Sequence, residues 1–272
     1  MPFFKIIMPN YNNSEWLEKS VGSVLQQTFT DYHFIFVDDL STDDSLEKFG
    51  DITGDKRREL TPRISWCQNT HKRWNGGSRN AGLEYGYPLI DSRYTLFLDS
   101  DDWFISDDIL QKLHDFIIDT DKPDCVRLPY TAEYNGNEHL PVMLSDSSPE
   151  MLVKSIFVAC WTKCIKSELI QPFPENTLME DVVQHIDQCD KINTVEVFTE
   201  PVVMYNRNNS NSCSAAHNQD LQHGKWQSSM FRYMADLLDL ELTHDYCIEQ
   251  RNWRADVCLN NIKKGVYMQS VD

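Results

Sequence analysis

Two groups of aspartates, each placed directly after a short apolar run, are the residues of this sequence best suited to chemistry. One group is Asp38 and Asp39, at the end of FIFVDD; the other is Asp99 and Asp101, at the end of YTLFLDSD, with Asp102 beside them. Short apolar runs bounded by polar turn residues are typical of buried strands in a parallel sheet. The carboxyl ends of such strands border the crevice in which open α/β sheets bind ligands. Carboxylates converging there predict a site for a hard divalent cation and for the diphosphate of a nucleotide.

Strand-like and helix-like segments alternate through the first half of the chain, and these elements must position the aspartates. Strands are predicted at FFKIIMP, HFIFVDD, RISWCQ and YTLFLD. Helices are predicted behind Ser14, at STDDSLEKF opened by Ser41 or Thr42, at GGSRNAGLEYGYPLI, and at DDILQKLHDFII capped by Ser106. This alternation predicts an α/β fold, with a mostly parallel central sheet, right-handed crossovers and flanking helices.

The second half of the chain is less regular. CVRLPY and TVEVFTEPVVMYN are predicted as strands, with a hairpin or loop between CVRLPY and about Ser148. MLVKSIF, WTKCIKSELI and EDVVQHIDQC have helical character. From about Asp220 the pattern is again helical, with apolar side chains along one face, namely Trp226, Met230, Tyr233 and Leu237. We therefore expect a C-terminal helical extension, although no motif in it defines a role.

The charge balance limits the classes of partner. The formal net charge is −17, from 25 basic and 42 acidic side chains, so we expect no stable nucleic-acid binding through phosphate neutralisation. No apolar stretch reaches the roughly 18–20 residues that cross a bilayer, and MPFFKIIMPNYNN has no charged leader or cleavage site. We expect neither a transmembrane segment nor a signal peptide, and peripheral membrane contact stays open. The eight cysteines contain no CxxC pair, which fits buried, reduced thiols in the cytoplasm.

Four motifs, in order and with preserved spacing, resemble those of the family-2 glycosyltransferases with the GT-A fold. MPNYNNSEWLEKSVGSVLQQTFTDYHFIFVDDLSTDDS resembles the opening strand, first helix and nucleotide-binding aspartates of that family. NGGSRNAGLEYGYPLIDSRYTLFLDSDD resembles its G-x-x-RN-x-G helix and DxD strand, and WTKCIKSELI and LMEDVVQHI resemble its acceptor-side segment and catalytic ED pair. The match runs from about Phe3 to about Ser214. A lone DxD is a weak signal, but four motifs in this order are specific.

The resemblance also implies a division of the chain into parts. A GT-A glycosyltransferase domain would occupy residues 1–215, with a nucleotide-binding half over about 1–105 and an acceptor half over about 106–215. The C-terminal helical extension would then cover residues 216–272.

On the donor side, the resemblance implies roles for the strand-end aspartates. Asp101 would ligate Mn²⁺ or Mg²⁺, and Asp99 would contact the ribose or share the metal. Asp39 would accept a hydrogen bond from a uracil-type base, with Asp38 and the backbone of Pro9–Tyr11 nearby. The alternative for each aspartate is a turn or cap at a strand end, and Asp102 is either a supporting residue or a turn former.

Three further positions are implied at the same site. Arg79 would brace the nucleotide side of the pocket or pair with one of the aspartates, and Gly76 and Gly77 would allow close backbone approach. Arg207, in the loop YNRNNSNSCS, is a candidate phosphate contact. His217 is either a late metal ligand or a loop histidine.

The resemblance places the catalytic base at the start of a helix. Asp181 in LMEDVV matches the family's base, which takes the proton of the acceptor hydroxyl in an inverting transfer, and Glu180 would orient a neighbour or contact the acceptor. The alternative is an ordinary acidic helix N-terminus. The Q-x-x-R-W element of processive members is absent, so a single transfer per encounter is expected.

The resulting hypothesis is a metal-dependent transferase that moves one sugar from a nucleotide-sugar, a UDP-sugar, to a saccharide or other hydroxyl acceptor of a surface glycan or lipid-linked precursor. A glycosyltransferase acting on modified DNA bases is an alternative that the charge disfavours. A second alternative is a non-catalytic protein that binds a nucleotide or a glycan. The presence of both Asp101 and Asp181 argues against this alternative. A nucleotidyltransferase would show a glycine- and lysine-rich phosphate loop, and MPNYNNSEW has none.

Overall fold

The computed structural model describes residues 1–54, 63–85, 92–144, 147–155, 158–175, 177, 179–210, 212 and 226–264. The strands in these ranges are β1 (Phe4–Asn10), β2 (Tyr32–Asp38), β3 (Ile64–Gln68), β4 (Tyr94–Phe97), β5 (Trp103–Phe104), β6 (Cys125–Arg127), β7 (Tyr130–Tyr134), β8 (Asn137–Glu138), β9 (Lys163–Lys166), β10 (Val195–Val197) and β11 (Val203–Asn206). The α-helices are α1 (Leu17–Leu25), α2 (Ser45–Gly54), α3 (Asn75–Glu84), α4 (Ile109–Asp119), α5 (Pro149–Val153), α6 (Glu180–Cys189), α7 (Trp226–Leu238) and α8 (Asp245–Lys264), with 3₁₀ turns at Cys160–Thr162 and Ser167–Leu169.

A seven-stranded sheet forms the centre of the fold, in the order β10-β6-β9-β4-β1-β2-β3. All neighbours pair in parallel except β9, which runs antiparallel to both β4 and β6. Every residue of β1 and β2 is buried, because helices cover both faces of a parallel sheet. Most of these residues are apolar, and Lys5 and His33 are buried polar exceptions. The expected mostly parallel sheet flanked by helices is confirmed.

A second sheet of four strands, in the order β5-β11-β7-β8, lies beside the first. Strand β5 follows the DSDD segment directly, and it pairs with β11 through Val203–Phe104 and Met204–Trp103. The loop that follows β11 is thereby brought next to the DSDD segment.

The segment WTKCIKSELI is not helical, contrary to the sequence-based expectation. It forms β9 between two 3₁₀ turns, because its backbone groups pair with β4 on one side and β6 on the other. Lys163 is tolerated at the buried start of β9, since its ammonium donates to the Val158 carbonyl at 2.8 Å and to the Ala159 carbonyl at 3.2 Å.

The expected helix starts were also wrong at three places, each by a few residues. Helix α1 begins at Leu17, and the Ser14 N–H donates to Asp43 Oδ2 at 3.0 Å instead of Ser14 capping a helix. The other carboxylate oxygen of Asp43 accepts from Ser45 N at the start of α2, so neither Ser41 nor Thr42 opens that helix. Helix α4 begins after Asp108 and not after Ser106, which was expected to cap it. The Asp108 carboxylate accepts from the Ser106 hydroxyl at 2.7 Å.

The C-terminal helices pack on α5 and α6 around a second apolar cluster, which includes the buried Tyr233 and Leu237. Asp190, the residue after α6, anchors them: its carboxylate accepts from Thr243 N at 2.9 Å and His244 N at 2.8 Å. Burial acts to raise the pKa of Asp190, but these hydrogen bonds hold it well below the usual range. The expected boundary at residue 215 lies outside the described residues. Among the described helices, none is both long and apolar enough to cross a membrane.

Candidate active site

The carboxylate of Asp39, just past the end of β2, is held by two donors from the neighbouring loop. Asn69 Nδ2 donates to Asp39 Oδ1 at 2.7 Å, and the Trp74 N–H donates to Asp39 Oδ2 at 2.9 Å. Asn69 follows β3 as Asp39 follows β2, so both lie at the same edge of the sheet. Each carboxylate oxygen retains a second lone pair for a ligand.

Asp38 has a different environment. Its side chain is fully buried; Oδ1 accepts from Asn10 Nδ2 at 3.4 Å and Oδ2 from Ser41 N at 3.1 Å. These bonds close the turn that leaves β2. Asp38 thus shapes the backbone that presents Asp39.

An aromatic and a cationic side chain lie beside Asp39. The Tyr11 ring is half exposed, and the Arg73 guanidinium lies 4.8 Å from its centroid while donating to the Asp39 carbonyl at 3.2 Å. Pro9 is buried within β1, paired with Val37 of β2. Pro9 and Tyr11 therefore line the strand edge that leads to Asp39.

Arg79, on α3, binds three carboxylates at once. Its Nη1 donates to Glu180 Oε1 at 2.7 Å and to Asp181 Oδ1 at 3.0 Å, and its Nη2 donates to Asp99 Oδ1 at 3.0 Å. The arginine is 1% exposed. One buried guanidinium thus joins the DxD segment after β4 to the acidic N-terminus of α6.

Three carboxylates around one guanidinium leave the cluster rich in negative charge. Burial and the neighbouring Asp181 carboxylate raise the pKa of Glu180 to about 7, against the opposing effect of Arg79. Burial also raises the pKa of Asp99, although Arg79 lowers it in part. Near neutral pH, Glu180 is therefore partly protonated.

The segment before α6 is fixed against α3 by close contacts and by Asn80. Asn80 Nδ2 donates to the Phe173 carbonyl at 2.9 Å, and Asn80 Oδ1 accepts from Phe173 N at 2.8 Å. A Cβ at Gly76 would collide with the Pro174 carbonyl, and one at Gly77 with the Lys72 carbonyl. Both positions therefore need glycine, because the backbones approach too closely for any side chain.

Asp101 faces the loop that follows β11. Asn209 Nδ2 donates to Asp101 Oδ2 at 2.8 Å and to Asn13 Oδ1 at 3.0 Å. The Arg207 guanidinium lies over the Tyr134 ring, 5.7 Å from its centroid. In the described part of this loop, Asn209 is the residue that contacts Asp101. His217 lies outside the described residues.

The residues suited to a cation are Asp99 and Asp101. Their carboxylate oxygens are the donor type that Mn²⁺ and Mg²⁺ prefer, and burial together with Asp99 raises the pKa of Asp101 to about 6. Within the described ranges, no three His, Cys, Asp or Glu side chains form a complete metal site. A cation here would need further oxygen ligands from a bound phosphate group. Asp102 is buried behind them and accepts from Asn206 N at 2.8 Å.

A histidine links the Asp39 side of the site to the segment before α6. His71 Nδ1 lies 2.8 Å from Glu175 Oε1, and His71 Nε2 lies 3.0 Å from Glu84 Oε2. Only the imidazolium can donate from both nitrogens. Burial acts to lower the pKa of His71, but the two carboxylates outweigh it and raise the pKa above the ordinary value.

We expect the stabilising effect of His71 to depend on pH. Because the folded-state pKa is raised, the contribution is full below the unfolded value of about 6.5 and is lost as pH rises through the folded value. At pH 6 the His71→Gln variant should therefore melt about 1–3 °C below wild type, since partly exposed ion pairs are weak. Melting curves from pH 6 to 9 should show the gap closing.

The exposed His139 supplies a matched control for this experiment. His139→Gln should melt like wild type throughout the pH range. A gap for His71→Gln that stays constant with pH would contradict the charged bridge.

Several residues of this site were missed in the sequence, among them Asn69, Trp74 and Asn209. Asn69 carried a usable signal, because a polar residue after the third strand must lie at the same sheet edge as Asp39. Trp74 and Asn209 carried none, since neither a tryptophan before a helix nor an asparagine in a polar loop is distinctive.

The sequence and the fold of this chain were compared with those of known proteins. The family model described as glycosyl transferase family 2 matches residues 5–161. The chain is 28% identical over 166 residues to the UDP-Glc:alpha-D-GlcNAc-diphosphoundecaprenol beta-1,3-glucosyltransferase WfaP of Escherichia coli, covering 60% of each protein. It is 37% identical over 121 residues to an uncharacterized glycosyltransferase of Haemophilus influenzae, covering 43% of each. The chain thus spans less than two thirds of the length of these relatives.

Solved structures agree in fold. Staphylococcus aureus TarS 1–349 in complex with UDP-GlcNAc superposes with a TM-score of 0.72 at 20% identity, over 98% of this chain and 76% of that one. The mannosyltransferase PcManGT of Pyrobaculum calidifontis, in complex with GDP-Man and Mn²⁺, gives a TM-score of 0.62 at 13% identity, over 99% and 77% of the two chains. Since the family model covers more than half of the sequence, the chain belongs to glycosyl transferase family 2, and its architecture is the GT-A fold.

Proposed function

We propose that the protein is an inverting, metal-dependent glycosyltransferase. It would move one sugar from a UDP-sugar to a hydroxyl of a saccharide acceptor, part of a surface glycan or a lipid-linked precursor. The observation that carries this proposal is the Arg79 cluster, in which Asp99 and Asp181 each lie 3.0 Å from one guanidinium. A leaving diphosphate held through a metal ion at Asp99 and an acceptor held at Asp181 would be brought close together there.

On the donor side, Asp39 would accept from the N–H of a uracil-type base, with Tyr11 and Arg73 beside it. Asp101 and Asp99 would hold Mn²⁺ or Mg²⁺, which when bound neutralises the charge that develops on the leaving diphosphate. The names of WfaP and of the TarS complex, with UDP-Glc and UDP-GlcNAc, support a UDP-sugar donor. Arg207 would contact the phosphates only after leaving the Tyr134 ring.

On the acceptor side, Asp181 would take the proton of the attacking hydroxyl. Its side chain is 26% exposed, whereas that of Glu180 is 10% exposed, so Asp181 is the carboxylate that an acceptor reaches. The pKa of Glu180, raised to about 7 first by burial, would by itself suit a general base at neutral pH, so the assignment to Asp181 rests on its greater exposure. Glu180 would instead orient the acceptor or its neighbour.

A cytoplasmic site of action is part of the proposal. The described cysteines are all free, and all but Cys67 are buried, which fits a reducing compartment. A lipid-linked acceptor would require peripheral contact with the membrane.

The test of the metal assignment is Asp101→Asn. We expect Mn²⁺-dependent UDP binding, measured by calorimetry, to weaken by at least about tenfold, because a neutral amide is a poorer ligand. Wild-type binding should also weaken as pH falls below about 6, because burial and Asp99 raise the pKa of Asp101 to that value and a protonated carboxyl does not ligate. Hydrolysis of a panel of nucleotide-sugars by wild type would identify the donor.

Asp107→Asn is the control, since Asp107 lies before α4, away from the cluster, and is exposed. It should bind UDP as wild type does. If wild type binds no nucleotide with Mn²⁺, the proposed function is wrong. If it binds nucleotide but turns over no donor with any acceptor, the non-catalytic binder is the better interpretation.

A further inference from the structure

Trp74 has a backbone conformation that tryptophan rarely adopts. It precedes α3 with φ 100° and ψ 170°, a region that is accessible to glycine and costly for a bulky side chain. Such a conformation persists only where the surrounding structure imposes it, and it is concentrated at functional sites.

The contacts that impose this conformation are made by the backbone N–H and carbonyl of Trp74. The Trp74 N–H donates to Asp39 Oδ2 at 2.9 Å, and its carbonyl accepts from Ser78 N at 3.0 Å. A glycine would make both bonds without strain. The local fold therefore explains the conformation but does not explain the indole.

Aromatic and cation–π contacts within the described part of the chain do not explain the indole either. The residue is 50% exposed. Within the described ranges, its ring makes no aromatic pair and lies under no cation, whereas Tyr11 lies under Arg73. A strained tryptophan that is half exposed, and whose ring meets no aromatic or cationic partner among the described residues, has indole surface available for a ligand.

The position of Trp74 indicates what that contact is. Its N–H donates to the carboxylate of Asp39, Arg73 donates to the carbonyl of Asp39, and Tyr11 lies against the Arg73 guanidinium. We propose that Trp74 is a nucleotide-contacting residue, whose indole covers the base or ribose held at Asp39 and sets the affinity for the donor. This inference rests on the proposed function. Aromatic surface suits a planar base, and in a site rich in carboxylates it adds binding without adding charge.

Three variants separate the ring from the strain. Trp74→Gly removes both, Trp74→Ala removes the ring and keeps the strain, and Trp74→Phe keeps both an aromatic ring and the strain. We expect UDP binding with Mn²⁺, measured by calorimetry, to weaken about five- to tenfold or more in the glycine and alanine variants. The phenylalanine variant should stay within about threefold of wild type, because its smaller ring retains most of the stacking.

Thermal unfolding supplies the second measurement. Trp74→Gly should melt about 2–4 °C above wild type, because it relieves the strain, and Trp74→Ala should not. A protein that is more stable yet binds UDP more weakly is the signature of a strained ligand contact.

Two results would overturn the inference. If Trp74→Gly and Trp74→Ala bind UDP as tightly as wild type, the indole does not contact the nucleotide, although the proposed function stands. If wild type itself binds no UDP with Mn²⁺, the proposed function fails and the inference fails with it.

Discussion

Asp181→Asn should lower the rate of sugar transfer by about 10²–10⁴-fold, the usual contribution of a general base. The amide has the same shape, and its oxygen can still accept from Arg79 Nη1, which lies 3.0 Å from the carboxylate in the wild type. UDP binding and the melting temperature should therefore change little. The measurement is the initial rate of UDP release, with the donor that wild type turns over and with its acceptor.

Asp187→Asn is the matched control, because Asp187 lies on the same helix and makes none of the Arg79 contacts. It should leave the rate within about twofold of wild type, since Asp187 touches no reacting group. If Asp181→Asn transfers sugar at the wild-type rate and Glu180→Gln loses most of the rate, the catalytic base is Glu180.

Arg79→Met should cost about 3–5 kcal/mol of unfolding free energy at pH 8, because it leaves three partly or fully buried carboxylates without their cation. Burial already raises the pKa values of Glu180 and Asp99, and Arg79 opposes that rise. Removing Arg79 raises both values further, so the folded variant binds more protons than the unfolded chain. The deficit should shrink as pH falls from 8 to 5. Urea unfolding at both pH values measures it.

Arg63→Met serves as the control, since Arg63 is only half-buried and packs 5.0 Å from the Tyr32 ring centroid. Its expected loss is about 0.5–1 kcal/mol, with little dependence on pH. Adding Glu180→Gln to Arg79→Met should restore part of the stability. An Arg79→Met protein as stable as wild type at pH 8 would show that the carboxylates do not need this guanidinium.

The strand-end aspartates could be predicted because their signal is local. A buried apolar run that ends in Asp38 and Asp39, or in Asp99 and Asp101, fixes both the strand and the edge at which the carboxylates lie. The sheet class followed from the alternation of such runs with helical segments. Four motifs in order then indicated the family.

The contacts that complete the site could not be predicted, because they join distant parts of the chain. Arg79 is 20 residues from Asp99 and 102 residues from Asp181, and no spacing rule selects its partners. The helix expected at WTKCIKSELI failed for a related reason: its hydrogen bonds go to β4 and β6, and a short apolar segment does not itself decide between helix and strand. The backbone conformation of Trp74 could not be predicted, since a positive φ at tryptophan has no local sequence signature.

The position of β9 has a consequence for the order in which the chain can fold during synthesis. Strands β1 to β4 can pair as soon as residue 97 has emerged from the ribosome, but the free edge of β4 waits for Lys163–Lys166. Strand β6, already made, has no neighbour until the same residues arrive. An unpaired edge on an apolar sheet attracts other chains. We therefore expect the nascent protein to be most prone to association with other chains while residues 97 to 166 are being synthesised.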